Sequence, residues 1–152
     1  MKKSLFLHLK TAEFRSKDFN GLDIDKCVNH LIYGTRINKV TKDGYGTSHP
    51  VLFYILESDL NKLQWISKRK LHRDSKIDLR TVRSISEFPT VINKKKLAKY
   101  NQSLLLSIHH GTHSELVLCF DSIEQKTEWW CGLQYFIEKA QLELGLLYFF
   151  LC

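Results

Sequence analysis

The chain is poor in the residues that build disulfide frameworks and interdomain hinges. Its 152 residues include 4 cysteines and 2 prolines. The cysteines lie far apart and form no Cys-x-x-Cys pair, which argues against a zinc knuckle and a disulfide scaffold. So few prolines argue against a hinge, and the length suits one domain with one core. We therefore expect a single folded unit from a reducing compartment.

Signatures of catalysis, targeting and membrane spanning are also missing. No Gly-x-Ser-x-Gly elbow, phosphate loop or His-Glu-x-x-His helix occurs, so we predict a non-enzyme without a cofactor. The apolar run near the first residue is short and is broken by His8 and Lys10, so we do not expect a secretory signal. Lys2 leaves no myristoylation site at this N-terminus. The apolar segment 144–152 is too short to span a bilayer, which takes about 20 residues.

Positive charge is concentrated in the middle of the chain. The net charge is +7, and residues 39–99 hold 14 Lys or Arg against 6 Asp or Glu, whereas the remainder holds 9 against 10. The densest cluster, residues 68–73, directly follows the strand-like residues 63–67. Like charges this close together need either full solvation or an anion. A surface with an anionic partner is one interpretation, and a solvated rim is the other.

Hydrophobic periodicity predicts a series of short strands between two helices. Apolar positions at helical spacing predict a helix over about 23–33, which Gly34 ends. Alternating or apolar runs predict seven strands, at 36–42, 51–56, 63–67, 76–79, 82–85, 104–108 and 116–120. Residues 58–61 are predicted as a turn. The last helix begins after Asp121 or Ser122, with Glu124 at the capping-box spacing from Asp121 and an apolar face through Ala140.

The order and spacing of these elements resemble a pleckstrin homology (PH) domain. Residues 128–133 are similar to the closing helix of that family, in which one tryptophan, here Trp129, plugs an open barrel. Trp65 followed by Arg69 and Lys70 resembles the third strand and loop of phospholipase C δ-type PH domains. Residues 77–85 resemble the fourth and fifth strands. The helix ahead of the first strand is also similar to the acylated PH protein of apicomplexan parasites, which reads phosphatidic acid, although its acylation signal is absent here.

This resemblance covers about residues 33–141 and implies a fold and a domain plan. The fold is mainly β with α: a seven-stranded, partly open barrel of two sheets capped by a C-terminal amphipathic helix. We divide the chain into an N-terminal arm with a short helix (1–33), a PH domain (34–143) and an apolar C-terminal tail (144–152). The tail is expected either to pack on the domain as a helix extension, to meet a membrane or to mediate assembly.

The resemblance also implies a binding site. In PH domains three turns gather at the open end of the barrel, here residues 42–50, 67–75 and 109–113. The predicted headgroup-binding residues are Lys39, Lys42, Lys68, Arg69, Lys70, His72 and Arg73. Arginine gives a phosphate bidentate hydrogen bonds and lysine gives it a point charge. Tyr45, which lies between glycines in the first turn, is the predicted membrane contact, since its ring suits the lipid interface.

Other cationic and aromatic residues give weaker indications of a binding site. The histidines of residues 109–113 lack a matching carboxylate or cysteine set, so we predict no metal site. Lys94, Lys95 and Lys96 are expected in the connection between the fifth and sixth strands, at the opposite end of the barrel, as a solvated run. Of the two adjacent tryptophans in the last helix, we expect one in the core and leave open an exposed position for the other.

One departure from the family bears on the ligand. Residues 48–53 lack the second-strand arginine of phosphoinositide-binding PH domains, and the nearest basic residue is His49. An ordinary histidine is mostly neutral at pH 7. We therefore expect phosphatidic acid as the first anionic partner and a phosphoinositide as the second, on the cytosolic face of a membrane or secretory organelle. A protein-interaction scaffold that uses the helix or the apolar tail is the alternative. Nucleic acid is disfavoured, because aromatic residues are not interleaved with the cations.

Overall fold

The computed structural model describes residues 21–40, 49–66, 75–90 and 94–151 of the chain. In chain order the elements are α1 (Ile24–Tyr33), β1 (Thr35–Val40), β2 (His49–Leu56), β3 (Asp59–Ile66), β4 (Ser75–Asp78), a 3₁₀ turn (Leu79–Thr81), β5 (Val82–Ser86), α2 (Lys94–Leu97), a second 3₁₀ turn (Gln102–Leu104), β6 (Leu105–His110), β7 (Ser114–Cys119) and α3 (Ile123–Leu151).

The seven strands form one antiparallel hydrogen-bonded order, β4-β3-β2-β1-β7-β6-β5. Strand β1 joins its two halves, because its first five residues pair with β2 and its last three pair with β7. Strands β4 and β5 lie at the two ends of this order and follow each other in the chain through the first 3₁₀ turn. The predicted seven-stranded PH-type fold with a C-terminal helix is confirmed.

The core lies between the inner faces of the strands and α3. Trp129 on α3 is only 1% exposed and stacks at an angle against Phe120 and edge-on against Phe53, with ring centroids 5.6 Å and 6.2 Å apart. Trp129 is therefore the tryptophan that plugs the barrel. Trp130 is partly buried and packs against the same core. The exposed position that the sequence left open for the second tryptophan is not observed.

Helix α1 packs on α3 at a close contact that requires a glycine. Asp23 caps α1 by accepting a hydrogen bond from the backbone N–H of Asp25 at 3.0 Å. The buried side chains of α1 belong to the same core as the strands. A Cβ on Gly132 of α3 would lie 2.5 Å from the carbonyl oxygen of Cys27 and 2.6 Å from Cδ1 of Leu31. The glycine is needed for space, because the two helix backbones approach closely at this point.

Helix α3 begins at its cap and runs much further than the barrel requires. The Ser122 hydroxyl accepts from the backbone N–H of Gln125 at 3.0 Å, and the Gln125 side chain accepts from the backbone N–H of Asp121 at 3.1 Å. Ser122 is thus the cap, and the side chain that accepts from the backbone N–H of Asp121 is that of Gln125 and not that of Glu124, which the capping-box spacing had indicated. The helix continues without a break to Leu151, so residues 144–151 extend it. No helix among the described residues is long and apolar enough to cross a membrane.

Candidate headgroup site at the open end of the sheet

Three turns leave the sheet at the same end. Lys39 pairs with His49 next to the β1–β2 connection, Trp65 pairs with Ser75 next to the β3–β4 connection, and His110 pairs with Ser114 at the β6–β7 turn. Strand β1 pairs antiparallel with both β2 and β7, so its C-terminal end lies beside the start of β2 and the start of β7. The strand register thus brings the bases of the three predicted turns together.

Most of the predicted headgroup residues lie on two of these turns. Lys42, Lys68, Arg69, Lys70, His72 and Arg73 lie outside the described residues, and so does the predicted membrane contact Tyr45. Their assignment to the site stays a prediction. The ends of β1, β2, β3 and β4 fix where the two connections start and finish, and Lys39 is the predicted site residue that the structure describes.

Lys39 lies on the inner face of β1 at the open end. It directly opposes Leu118 of β7, a fully buried core residue, and His49 of β2. Its Nζ sits 4.9 Å from the ring centroid of Trp65, at a distance that gives a favourable cation–π contact. A partly buried lysine with its ammonium over an aromatic face is held in place, which gives a localised positive charge beside the bases of the predicted turns.

Trp65 connects this lysine to the core. Its ring lies 5.4 Å from that of Phe53, centroid to centroid, at an interplanar angle of 40°. It is partly buried and is the second-last residue of β3, so a single residue separates the end of the described strand from the cationic cluster at 68–73. The sequence singled out Trp65 because of its distance from Arg69 and Lys70. The tertiary structure adds its contact with Lys39, which no sequence spacing reveals.

His49 is the basic residue nearest to the place where the resemblance implies the second-strand arginine of phosphoinositide-binding PH domains. It is the first residue of β2 and directly opposes Lys39 on the inner face. The described base of the β1–β2 connection therefore carries one lysine and one histidine. This pair offers fewer permanent charges than a lysine with an arginine.

The histidines near the β6–β7 turn do not converge. His109 and His110 are consecutive strand residues and point to opposite faces of the sheet. His109 Nε2 lies 3.4 Å from the Ser107 hydroxyl and 3.9 Å from an oxygen of Glu115, on the outer face. Among the residues that the structure describes, no group of three or more His, Cys, Asp or Glu side chains is placed to hold a metal ion.

Glu115 is a buried carboxylate that the sequence analysis missed. It accepts hydrogen bonds from the Ser107 hydroxyl and, at 2.9 Å, from the backbone N–H of Thr90. These bonds tie the connection after β5 to the outer face of the β6–β7 hairpin. A glutamate within a predominantly apolar strand is the sequence feature that could have indicated this buried carboxylate.

The connection between β5 and β6 returns toward the open end. Leu97 of α2 packs on Val40, Leu105 and Val117, on the outer face of β1, β6 and β7. Val40 is the last residue of β1, next to the β1–β2 connection. The expectation that this basic stretch lies simply at the opposite end is therefore corrected, because burial of Leu97 folds the connection back. Lys95 of α2 is exposed there.

A second charged cluster, also missed from the sequence, joins α1 to α3. Glu128 accepts a hydrogen bond from Lys26 Nζ at 2.7 Å and lies 2.9 Å from His30 Nε2. The hydrogen bond from Lys26 is the main cause that lowers the pKa of Glu128 below its ordinary value, with the charge of Lys26 and the proximity of His30 adding to it. Lys26 and His30 lie on α1 and Glu128 lies on α3, so these contacts tie the two helices together.

The described cysteines are free thiols. Cys27 and Cys131 are both fully buried where α1 crosses α3. Burial, followed by the charge and hydrogen bonding of Cys27, raises the pKa of Cys131 to about 12. Such a thiol stays protonated at neutral pH and is unreactive.

Solved structures with a similar fold include a PH domain and two inner membrane complex sub-compartment proteins. Inner membrane complex sub-compartment protein 1 from Toxoplasma gondii is 17% identical, covers 84% of this chain and 97% of its own, and has a TM-score of 0.56. Sub-compartment protein 3 from the same organism is 13% identical, with coverages of 78% and 85% and a TM-score of 0.55. The PH domain from TgAPH, also a Toxoplasma protein, is 10% identical, with coverages of 78% and 91% and a TM-score of 0.53.

These similarities establish the fold. Neither protein-family models nor curated protein sequences match the chain. At such low identity the likeness is one of architecture: the chain has the PH fold, as the sequence resemblance predicted.

Proposed function

We propose that this protein is a membrane-recruitment module that binds an anionic phospholipid headgroup, with phosphatidic acid as the first candidate. The headgroup phosphate is held in a basic cleft at the open end by Lys39, Lys42, Lys68, Arg69, Lys70, His72 and Arg73. Tyr45 contacts the lipid interface. The protein is cytoplasmic and binds peripherally to the cytosolic face of a membrane, and no catalytic role is proposed.

The observation that carries this proposal is the strand register. It brings the bases of three turns to one end of the sheet, and two of those turns carry the densest cations of the chain. Lys39 adds a charge fixed over Trp65 at that end. Each cation near an anionic leaflet contributes about 1 kcal/mol of attraction, so several of them give reversible recruitment.

The small number of fixed charges on β1 and β2 favours a simple phosphate. Lys39 opposes His49, where phosphoinositide-binding PH domains have an arginine. A monophosphate needs fewer donors than an inositol ring with several phosphates, so phosphatidic acid ranks before a phosphoinositide. A membrane setting also agrees with the two similar structures that come from proteins of the inner membrane complex.

Vesicle sedimentation tests the proposal. Vesicles of phosphatidylcholine alone are compared with vesicles that also contain phosphatidylserine, phosphatidic acid or a phosphoinositide, matched for total charge. We expect the strongest binding to phosphatidic acid. Equal binding to neutral and anionic vesicles would overturn the lipid proposal, and preference for the phosphoinositide would reverse the order of the two ligands.

Two matched triple variants separate a specific cleft from a general positive surface. Lys68→Ala with Arg69→Ala and Lys70→Ala removes three cations from the predicted cleft. Lys94→Ala with Lys95→Ala and Lys96→Ala removes three from α2, on the outer face. A cleft predicts that the first variant loses binding and the second keeps most of it, with both melting like the wild type. Equal losses would show that only net charge matters.

A protein-interaction scaffold is the alternative function. Tyr33 at the end of α1 and Phe88 after β5 are large apolar side chains that are 84% and 72% exposed. A folded wild-type protein that sediments with none of the vesicles would favour this alternative.

A further inference from the structure

The C-terminal part of α3 has an unusual composition for an exposed helix. Residues 144–151, which we call the apolar helix end, contain no charged residue and no amide side chain. Leu146 is 50% exposed and Leu151 is 83% exposed. Five positions on a helix correspond to a rotation of about 140°, so these two exposed leucines lie on different sides. The apolar exposure is therefore not confined to one stripe.

The direction of α3 carries the apolar helix end toward the end of β6. Near its start, α3 is fixed by Lys126, whose Nζ donates to the carbonyl of Ser103 just before β6. Further along, the Gln141 side chain donates to the carbonyl of Val82 at 2.8 Å, and Val82 pairs with His110 at the end of β6. The helix thus runs from the start of β6 toward its end, which lies at one of the three turns of the proposed site.

The small size of this segment argues against a second protein copy as its binding partner. Eight helical residues form a cylinder about 12 Å long and about 10 Å wide, with roughly 400 Å² of lateral surface. A partner helix would cover only about half of that surface. Stable interfaces bury about 1,200–2,000 Å² in total, so this segment alone falls far short. A groove in a partner would moreover favour an apolar stripe with a polar back, which this sequence lacks.

A lipid leaflet suits the same features. Hydrocarbon surrounds a helix on every side, and a helix that is apolar all round is stable only in such surroundings or in a protein core. Its length of about 12 Å is less than half of the roughly 30 Å hydrocarbon thickness of a bilayer. We propose that the apolar helix end inserts into the leaflet whose headgroups the basic cleft binds. This inference rests on the proposed lipid-binding function and adds an apolar contact to its electrostatic one.

Neutral substitutions test the insertion. Leu146→Gln with Leu151→Gln removes apolar surface without adding charge. We expect this variant to bind vesicles of phosphatidylcholine and phosphatidic acid at least about tenfold more weakly, since burying one leucine accounts for about a factor of ten or more. The matched control is Leu56→Gln with Phe88→Gln, which changes two other exposed apolar residues. The control is expected to stay within about twofold of the wild type.

A fluorescent label reports the depth directly. Leu151→Cys is made together with Cys119→Ser and Cys152→Ser and is labelled with an environment-sensitive dye, while the buried Cys27 and Cys131 stay unreacted. Vesicles that contain phosphatidic acid should shift its emission to shorter wavelength. Nitroxide groups placed on the acyl chains should quench it more strongly than nitroxide groups on the headgroups.

The outcomes distinguish this inference from the function beneath it. One outcome is vesicle binding that requires Lys68, Arg69 and Lys70 and yet is unaffected by the two leucine changes, while the emission of the dye does not shift. That result would overturn the insertion and leave the proposed function standing. Absence of vesicle binding by the wild type would overturn both. A wild-type dimer in sedimentation velocity that the leucine variant converts to monomer would assign the segment to self-association instead and refute the insertion.

Discussion

The contact between α1 and α3 gives a sharp test of the packing at Gly132. In Gly132→Ala the new Cβ would lie 2.5 Å from the carbonyl oxygen of Cys27 and 2.6 Å from Cδ1 of Leu31. The leucine end can rotate away, but the backbone carbonyl can move only if α1 shifts. Overpacking of this kind costs about 1–3 kcal/mol. Alanine recovers up to about 1 kcal/mol of helix propensity, so we expect a net loss of about 1–2 kcal/mol.

The same helix supplies the matched control. A Cβ on Gly145 would meet nothing within 4 Å, so Gly145→Ala should stabilise the protein by about 0.5–1 kcal/mol through propensity alone. Thermal unfolding by circular dichroism measures both variants. For a domain of this size, 1 kcal/mol shifts the Tm by about 2–4 °C, so Gly132→Ala should melt about 2–8 °C lower. A Gly132→Ala protein that melts at or above the wild-type Tm would refute the close contact between α1 and α3 and the packing position of α1 on the barrel.

Two further predictions concern α3. Glu128→Gln should lower the Tm at pH 7, because Lys26 and His30 lose their anion. The folded-state pKa of Glu128 is depressed, so its stabilisation is present above the unfolded pKa and disappears as the pH falls through the folded value. In a pH series of melting curves, the difference in Tm between the wild type and Glu128→Gln should therefore decrease as the pH falls. A Tm difference that is unchanged down to about pH 3 contradicts this prediction. Trp129→Ala should cost about 3–5 kcal/mol in urea unfolding, and Trp130→Ala clearly less; equal losses would contradict the assignment of Trp129 as the plug.

Much of the secondary structure could be predicted from the sequence, because the local spacing of apolar residues reflects which side chains are buried. The seven strands and both main helices fall where alternation and helical spacing predicted them. The turn predicted at residues 58–61 was wrong in part, since β3 begins at Asp59 after a two-residue turn. Asp59 pairs with Leu56 where the β2–β3 register shifts, and cross-strand pairing overrides the turn preference of its local sequence.

Other features were out of reach because they join residues that are distant in sequence. The salt bridge of Lys26 with Glu128 spans 102 positions, and Glu115 accepts a hydrogen bond from Thr90 across 25. In both cases the local sequence around one residue does not indicate which distant residue it will contact. The contact of Lys39 with Trp65 is of the same kind: the sequence predicted a role for each of them, but only the pairing of β1, β2 and β3 brings them together.

The sequence by itself determined the order of short strands and helices and the segment where positive charge gathers, because these follow from residue type and short-range spacing, whereas the PH-type fold and the role of Trp129 came from family resemblance. The predicted headgroup site came from family resemblance, and its loop residues stay a prediction. Only the tertiary structure decided that Lys39 sits over Trp65 opposite His49, that Gly132 makes room for α1, and that α3 runs from the start of β6 toward its end. Each of these depends on how strands and helices approach one another in space, which local sequence patterns do not encode.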